Sequence, residues 1–586
     1  MDEAENAAVS VVQAATRRRD LEAWVPGVRL LRTYQRGWLS RDLVAAIVLS
    51  ALLVPQGMAY AELAGLPAIT GLYTTVVCLV AYAVFGPSPY LVLGPDSSLG
   101  PIIAAIILPI AAGSEEQAVA LAGMLALLVG VVAVGAGVAR LGFISDLLSQ
   151  PVRLGYMAGL AATIVVSQLP DLFGFDIDGG NIVADIQEFV RGLDQTNVYA
   201  LGIGLLALGI VVGLRRVRPR VPGILVAVVI TMVVSALLDL ASRGVDVVGV
   251  LPQGFPTPSI PAVDLADLPL LIGGAIGITL VAIGDTISVS SGFAARRGSD
   301  VDTDQEIVAI GAANVAAGLF TGFPVSTSSS RTAVADQAGA KSQLTGLAAA
   351  GLVLAMLLFV PGLFQTLPVP VLAAVIILAG AALLDVPGLS RLWQVRRSDF
   401  GIAVICFLGV ALVGVLEGIV VAVMVSVAEI FIRAWRPHWA LLGKPADVAG
   451  YHDVERHPDA ERIPGLVILR WDAPLFFANS SLFRDTVRRI IATTEPRPRW
   501  VLVAAEPITD VDTTAAAMLV RLDEELNAED MHLAFAELKD PVRDKLLRYS
   551  IHETIDPAHF YPTVRVAVEA FLRDDPKAPV AESGSA

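Results

Sequence analysis

Long apolar runs recur along the chain from Leu43 to about Arg433. Each run is close to the roughly 20 residues that a helix needs to cross a bilayer. The pattern therefore predicts an α-helical membrane domain that crosses the bilayer many times. We place fourteen spans at about 41–60, 66–86, 88–110, 117–138, 150–170, 196–214, 221–240, 268–291, 304–320, 323–340, 343–366, 368–385, 399–414 and 416–433.

Hydropathy falls sharply after the last span. The residues that follow mix charges with strand-like and amphipathic patterns, and they are numerous enough for one soluble α/β domain. The sequence therefore predicts four parts: an N-terminal segment at 1–40, a transmembrane domain at 41–436, a soluble domain at 437–573 and a disordered tail at 574–586.

Positive charge is unevenly distributed between the predicted loops. With a cytosolic N-terminus, the arginine-rich loops fall on the cytosolic side and the acidic loops on the other, as the positive-inside rule requires. The basic loops are 215–220, 296–297, 391–397 and 433–436, and the acidic ones are 115–116, 171–195 and 241–267. We therefore expect a multi-pass protein of the inner or plasma membrane with both termini in the cytosol.

The composition limits the kinds of partner and metal site that the chain can have. The chain has 586 residues, of which 17% are charged, whereas soluble proteins carry about 25%. The net charge of −15 gives no reason to expect a nucleic-acid partner. All six histidines follow the last span, which excludes a histidine relay and a histidine-bound metal site in the bilayer. Cys78 and Cys406 lie in apolar spans, so we expect no disulfide, no thiolate metal site and no cofactor.

Two spans, the third and the tenth, are short and interrupted by Pro, Gly and Ser. They contain Tyr90–Pro101 and Gly322–Thr332 and lie seven spans apart. Paired broken spans are typical of transporters built from an inverted repeat, with the binding site at the membrane midplane. Each would hold a short extended stretch followed by a helix whose N-terminus faces an anion. The alternative is a pair of proline-kinked structural helices.

Arg331 is the most costly residue in these segments, at roughly 3 kcal/mol or more at the bilayer centre. Its guanidinium could bind an oxyanion through two hydrogen bonds, or it could be a structural counter-ion of Asp285 or Asp96. The hydroxyls of Ser329, Ser330 and Thr332 are candidate ligands for the same anion, or simply helix caps.

Two buried acids are candidates for binding a coupling ion. Asp285 lies deep in the eighth span and could accept a proton or bind Na⁺, or it could be a structural partner of Arg331 or of a backbone N–H group. Asp96 begins a helix that should face an anion, and it would repel that anion unless it is protonated or neutralised. Asp96 therefore favours coupling to H⁺ or Na⁺, and its alternative role is a plain helix cap.

Several motifs resemble one family. The run Val54–Pro67 with Gly71-Leu72-Tyr73, and the runs Ser330–Val334 and Ala338–Gly346, are similar to signatures of the SulP anion permeases, which include pendrin and prestin. The resemblance implies seven-plus-seven inverted repeats that form core and gate domains, alternating access, a cytosolic STAS domain and a homodimer.

The resemblance also assigns site residues. By position, it implies an anion site with ligands on the first, third and tenth spans, and it places Asp285 where many transporting members carry an acid implicated in coupling. Asp96 departs from the family, in which many members have a small or apolar residue there. The residues implied at the anion site are Gln56, Tyr60, Asp96, Ser97, Ser98, Ser330 and Arg331.

The C-terminal domain carries its own resemblance. Residues 465–478 are similar to the first STAS strands, and Val501–Ala505 suits a buried strand. The loop Asp510–Ala515 is similar to the STAS loop in which Thr514 would match a position phosphorylated in anti-sigma antagonists. Because Ala515 replaces the usual glycine, we expect Thr514 to cap a helix, with regulation as the second role.

The sequence therefore predicts a secondary active symporter that imports a small anion, namely bicarbonate, sulfate or a carboxylate, coupled to H⁺ or Na⁺. The sequence contains no Walker motif for nucleotide binding, so we expect neither an ATP-driven pump nor another enzyme. Two alternatives stay open. One is a nucleobase-type permease with the same architecture, and the other is a membrane sensor or scaffold that acts through its STAS domain.

Overall fold

The computed structural model describes residues 25–142, 149–177, 182–218, 221–297, 300–549, 551 and 554–574. These residues form two compact units that divide between Ser426 and Val427, within the last long helix. Most of the expected N-terminal segment and the expected disordered tail lie outside the described residues. The bounds of the four predicted parts stay predictions.

The first unit is built almost entirely from helices. In chain order they are α1 (Pro26–Thr33), α2 (Leu39–Leu63), α3 (Ala68–Phe85), α4 (Gly100–Ala111), α5 (Glu115–Val138), α6 (Gln150–Ser167), α7 (Leu169–Phe173), α8 (Ile182–Arg191), α9 (Val198–Val217), α10 (Gly223–Leu238), α11 (Leu268–Arg297), α12 (Thr303–Leu319), α13 (Ser329–Gln337), α14 (Leu344–Phe359), α15 (Val369–Leu383), α16 (Val386–Val395), α17 (Arg397–Leu408) and α18 (Val415–Trp435).

The helices agree with the hydropathy pattern. Each of the fourteen predicted spans contains a helix, and the prediction of a helical membrane protein is confirmed. Within the described residues, seven helices are long and apolar enough to cross a membrane on their own length and composition. Shorter apolar helices include α4, α10 and α14, so the count of fourteen spans stays a prediction.

The two broken spans each contain a short strand before their helix. Strand β1 (Leu93–Gly94) precedes α4, and strand β2 (Ser326–Thr327) precedes α13. The strands pair antiparallel, with Leu93 opposite Thr327 and Gly94 opposite Ser326. The expected extended stretch followed by a helix is therefore confirmed in both segments. Their antiparallel relation is the one that an inverted repeat requires.

Glycines allow two helix pairs to pack closely. A Cβ at Gly71 of α3 would lie 1.8 Å from the carbonyl oxygen of Gly57 on α2, and a Cβ at Gly318 of α12 would lie 2.5 Å from that of Gly123 on α5. In a membrane, small residues at such crossings let the backbones approach and gain van der Waals contact. Any larger residue at these positions would separate the helices.

Asp42, near the start of α2, is a buried carboxylate that accepts several hydrogen bonds. Its Oδ1 accepts from the backbone nitrogen of Lys341 at 2.7 Å and from Oγ1 of Thr345 at 3.1 Å. Its Oδ2 accepts from Oγ of Ser342 at 2.7 Å and from the hydroxyl of Tyr34 at 3.3 Å. The carboxylate thus joins the start of the membrane domain to the loop before α14.

The second unit is an α/β domain around one mixed sheet. The strands lie in the order β4-β3-β5-β6-β7-β8, in which β3 is antiparallel to β4 and β5 and the others are parallel. The strands are β3 (Trp439–Gly443), β4 (His452–Asp453), β5 (Leu466–Trp471), β6 (Trp500–Ala504), β7 (His532–Ala536) and β8 (Phe560–Tyr561), and the helices are α19 (Ser480–Thr493), α20 (Thr513–Asn527), α21 (Asp540–Arg548) and α22 (Val564–Asp574).

Helices cover both faces of this sheet. Val467 and Leu469 pack in an apolar cluster with side chains of α19 and α20, whereas Leu466 and Ile468 pack in a second cluster with α22. Alternate residues of a strand point to opposite faces, so a sheet with helices on both sides gives continuous apolar strands. The strands predicted from residues 465–478 and 501–505 are confirmed as β5 and β6.

Replacing Asp42 with Asn should lower the stability of the membrane domain. An Asn side chain keeps one acceptor oxygen and replaces the other by a donor, whereas both carboxylate oxygens of Asp42 accept hydrogen bonds. Either the Lys341 nitrogen loses its acceptor or the Ser342 and Tyr34 hydroxyls must turn to accept, and an unsatisfied buried donor costs about 1–3 kcal/mol. We expect a lower unfolding midpoint for purified Asp42→Asn in detergent than for the wild type. The control is Glu116→Gln, which changes an exposed acid at the start of α5. Equal midpoints for all three proteins would contradict the role of Asp42.

The C-terminal domain should become less stable as the pH rises through about 6. Burial raises the pKa of Asp523 to about 6, although a hydrogen bond from Asn527 opposes the shift. A folded-state pKa above the unfolded value gives stability at low pH that is lost as the pH rises through the folded pKa.

Asp523→Asn should therefore reduce the difference between the unfolding midpoints of the C-terminal domain at pH 5 and pH 8. The Asn527 hydrogen bond can persist, since the new side chain keeps a carbonyl oxygen. Glu506→Gln, which changes an exposed acid in the same domain, is the control. An unchanged pH dependence in Asp523→Asn would refute the assignment to this side chain.

Candidate functional site

Side chains hold the irregular backbone of the two broken spans. The Val92 nitrogen donates to Oγ1 of Thr332 at 3.2 Å, and the Ser328 nitrogen donates to the Val92 carbonyl at 3.3 Å. In α12, Oδ1 of Asn314 accepts from the Val325 nitrogen at 2.9 Å, and Nδ2 of Asn314 donates to the Val325 carbonyl at 3.1 Å. Non-helical backbone survives at membrane depth only where such partners replace water.

Gln343 fixes the stretch that leads into β1. Its Nε2 donates to the carbonyl oxygens of Ser88 at 2.8 Å and Leu91 at 3.0 Å. The glutamine itself belongs to the segment between α13 and α14. The second broken span and its flanks therefore position the first, and the two strands form one hydrogen-bonded unit.

Arg331 lies behind this unit and is completely buried. Its Nη2 donates to the Gly94 carbonyl at 3.3 Å and lies 3.6 Å from Oδ1 of Asp96. Its Nε and Nη1 have no acceptor among the residues that the structure describes. A Cβ at position 94 would lie 2.6 Å from Nη1, so any larger residue there would displace the guanidinium.

Asp96 and Asp285 meet at one hydroxyl. Oγ of Ser98 lies 2.8 Å from Oδ2 of Asp96 and 3.1 Å from Oδ2 of Asp285. A hydroxyl has one proton to donate. When both acids are ionised, one of these contacts therefore sets the hydroxyl oxygen against a carboxylate oxygen. The same three side chains are the oxygen ligands that a hard cation such as Na⁺ prefers.

A cavity of about 1060 Å³ lies in front of these residues. Its polar wall includes most of the residues that the sequence and the family resemblance indicate. The other side is formed mainly by apolar residues of α9, α10 and α15, together with Arg215. The indicated residues that line it are Gln56, Tyr60, Asp96, Ser97, Ser98, Asp285, Ser329 and Ser330.

Arg331 does not line this cavity. The structure places it one layer deeper, where its charge faces Asp96 and the Gly94 carbonyl. The counter-ion alternative therefore has a geometric basis, whereas direct contact with an anion stays a prediction. The guanidinium therefore lies beside Asp96, the acid that was expected to repel an anion.

One face of α2 lines the cavity. Val48, Leu52, Gln56 and Tyr60 repeat every four residues and therefore share that face. The Gln56 Oε1 and the Oγ of Ser326 in β2 are buried without a hydrogen-bond partner among the described residues. Gln56 lines the cavity, whereas Ser326 does not. Buried polar atoms are normally satisfied, so the unpaired Gln56 oxygen at the cavity wall is typical of a site built for a ligand.

Some residues around the site were missed by the sequence analysis. Asn314 and Gln343 position the backbone, and Arg153 lines the cavity and donates from Nη1 to Oγ of Ser288 at 2.9 Å. A further buried acid, Glu306, accepts hydrogen bonds from the hydroxyls of Tyr82 and Ser88. Asn314 and Glu306 could have been noticed as polar residues inside an apolar span.

Thr514 belongs to the C-terminal domain. It is exposed in the first turn of α20, and the cap of this helix is Asp512, whose Oδ1 accepts from the Ala515 nitrogen at 2.8 Å. The expectation that Thr514 caps the helix is therefore wrong, because the acid two residues earlier occupies that position. Its regulatory role stays a prediction.

Cysteine labelling should distinguish the cavity wall from the layer behind it. Ser330 lines the cavity, whereas Thr332 is buried. We expect Ser330→Cys to react quickly with a charged, water-soluble methanethiosulfonate reagent and Thr332→Cys to react slowly. The wild type supplies the background, which should be low because Cys78 and Cys406 are buried. Equal labelling rates in the two variants would contradict the described cavity.

Comparison with known proteins identifies the family. The model of the sulfate permease family matches residues 39–406, and the STAS domain model matches residues 457–567. A probable sulfate transporter of Mycobacterium tuberculosis (strain CDC 1551 / Oshkosh) is 39% identical over 550 residues, which cover 94% of this chain and 98% of that protein. The chloroplastic sulfate transporter 4.1 of Arabidopsis thaliana is 30% identical over 583 residues, which cover 96% and 85%.

Solved structures show the same fold. Murine Solute Carrier 26 family member A9 in its inward-facing state has a TM-score of 0.87 at 23% identity, covering 97% of this chain and 98% of that chain. The transmembrane domain of the cyanobacterium bicarbonate transporter BicA has a TM-score of 0.59 at 21% identity, covering 67% and 98%. The chain therefore belongs to the sulfate permease family, as a multi-pass membrane anion transporter with a C-terminal STAS domain.

Proposed function

We propose that this protein is a secondary active symporter that imports a small anion by alternating access. The observation that carries the proposal is the pair of helices α4 and α13, which begin at the wall of one polar cavity. The first backbone N–H groups of a helix have no partner within the helix, and the helix dipole places partial positive charge there. Two such ends with the hydroxyls of Ser97, Ser329 and Ser330 suit an oxyanion.

Arg331 supports the anion from behind. Because it lies 3.6 Å from Asp96, its charge offsets the acid that would otherwise repel the ligand. The guanidinium thus acts through the local field rather than by contact. This arrangement has no need for Asp96 to be protonated before an anion binds.

The contacts of Ser98 support coupling to a cation. Its hydroxyl lies within hydrogen-bond distance of both Asp96 and Asp285, yet it can donate to only one of them. A proton on one carboxyl removes the conflict, and so does a Na⁺ ion held by the three oxygen-bearing side chains. We assign the coupling ion to Asp285, with Asp96 as the second carboxylate.

Sulfate is the first anion to test, since the relatives described above carry that substrate in their names. Bicarbonate is the second, from the name of the BicA structure, and a small carboxylate is the third. The remaining assignments follow the sequence: a homodimer in the inner or plasma membrane, with the N-terminus and the STAS domain in the cytosol.

Uptake into liposomes tests the proposal. Purified protein in sealed liposomes should accumulate labelled sulfate above its external concentration when an inward H⁺ or Na⁺ gradient is imposed. The same preparation can be screened with bicarbonate and a small carboxylate at two pH values. Accumulation of none of these anions under either gradient would refute the symport assignment.

Asp285→Asn should uncouple transport. The amide neither accepts a proton nor supplies a charged ligand for Na⁺, so we expect gradient-driven accumulation to disappear while downhill sulfate exchange persists. Asp385→Asn is a matched control, because Asp385 lines the same cavity and caps α16 instead. Gradient-driven uptake that survives in Asp285→Asn would remove this residue from the coupling site.

A further inference from the structure

A second cavity, of about 320 Å³, lies between α2, α10 and α14. Among the residues that the structure describes, its wall carries no charged side chain, and its single hydroxyl, that of Ser50, already donates to the Ile47 carbonyl at 3.0 Å. An apolar cavity of this kind stays dry and accepts apolar ligands. The wall consists of Ser50, Ala51, Val54, Pro55, Leu225, Val228, Val229, Met232, Leu352, Val353, Met356, Leu363 and Phe364.

Helices α2 and α10 separate the two cavities. On α2, Leu52 and Gln56 face the polar cavity, whereas Val54 and Pro55 face the apolar one. On α10, Ile224 faces the polar cavity. The residues of this helix that face the apolar cavity are Leu225, Val228, Val229 and Met232. A ligand in the apolar cavity would therefore contact both helices from the side opposite to the anion.

The apolar cavity is bordered by apolar surface. Val229, Leu352 and Leu363 line it and are 51%, 43% and 49% exposed. Val233 on α10 and Phe359 on α14 are also exposed. In a protein that spans a bilayer, such surface faces lipid tails rather than water. The molecules that can reach this cavity directly are therefore the acyl chains of the bilayer.

We propose that this cavity binds an acyl chain of a membrane lipid. Its volume is at the lower end of the roughly 300–1,000 Å³ of small-molecule sites, which suits part of one chain. A lipid headgroup would find no charged partner in the described wall, so neutral and anionic lipids should bind alike. The chain would fill the gap behind α2 and α10 and stabilise their present separation.

Photolabelling of the full-length protein tests the proposal directly. We would place it in nanodiscs with phosphatidylcholine that carries a diazirine in one acyl chain, irradiate the sample and map the label by mass spectrometry. We expect the label to be concentrated on the cavity residues of α10 and α14. The readout needs no transport, so it stays informative if the symport assignment fails.

Cavity-filling variants supply the contrast. Val229→Trp and Leu352→Trp add bulk from two different helices at partly exposed positions, and each should lose the label. Val233→Trp is the matched control, because Val233 is 52% exposed on the same helix as Val229 but does not line the cavity. The control should keep the label.

Several results would overturn the acyl-chain site. Label spread evenly over the exposed apolar helices would indicate general lipid contact. Undiminished label in both filled variants would exclude the cavity, and so would loss in Val233→Trp to the same extent. Labelling that requires an anionic headgroup in place of phosphatidylcholine would replace the acyl chain by a headgroup as the determinant.

Discussion

The pairing of β1 with β2 is the interaction on which the membrane domain depends. Each broken span exposes backbone groups that a bilayer cannot satisfy, and each supplies partners for the other. Asn314, Thr332 and Gln343 complete the pairing from α12 and from the segments around α13. Because two helices can begin beside a cavity only when this backbone is held, the position of their N-termini at the polar cavity is a consequence of the pairing.

The charges around the site form one connected arrangement. Arg331 touches Asp96, Asp96 shares the Ser98 hydroxyl with Asp285, and Asp285 lies in α11. Removing a partner from a buried network costs more than the pair contributes, because the remaining charge stays buried. In the proposed function, attraction of an anion and binding of a coupling cation would therefore not be separable, since a change in either carboxylate alters the field that both ligands would feel.

The sequence predicted the parts that depend on local pattern. Hydropathy located the helices, prolines and glycines located the broken spans, and continuous apolar runs located β5 and β6. It could not predict that Arg331 points away from the cavity, or that Asp42 is enclosed by the segment before α14, because both depend on residues far away in sequence. Thr514 was misassigned because an acid and a threonine two residues apart suit a helix cap equally well.

The long separation between partners constrains how the protein is made. Gly94 precedes Arg331 by 237 positions, and Asp42 precedes Ser342 by 300. A ribosome that adds about 5–20 residues per second leaves Gly94 and Asp42 without these distant partners for roughly 12–60 s. The first half of the membrane domain therefore waits, with a buried acid and an unpaired strand, until the second half is inserted. A chain truncated before Arg331 would reach the membrane as a substrate for quality-control proteolysis rather than as half a transporter.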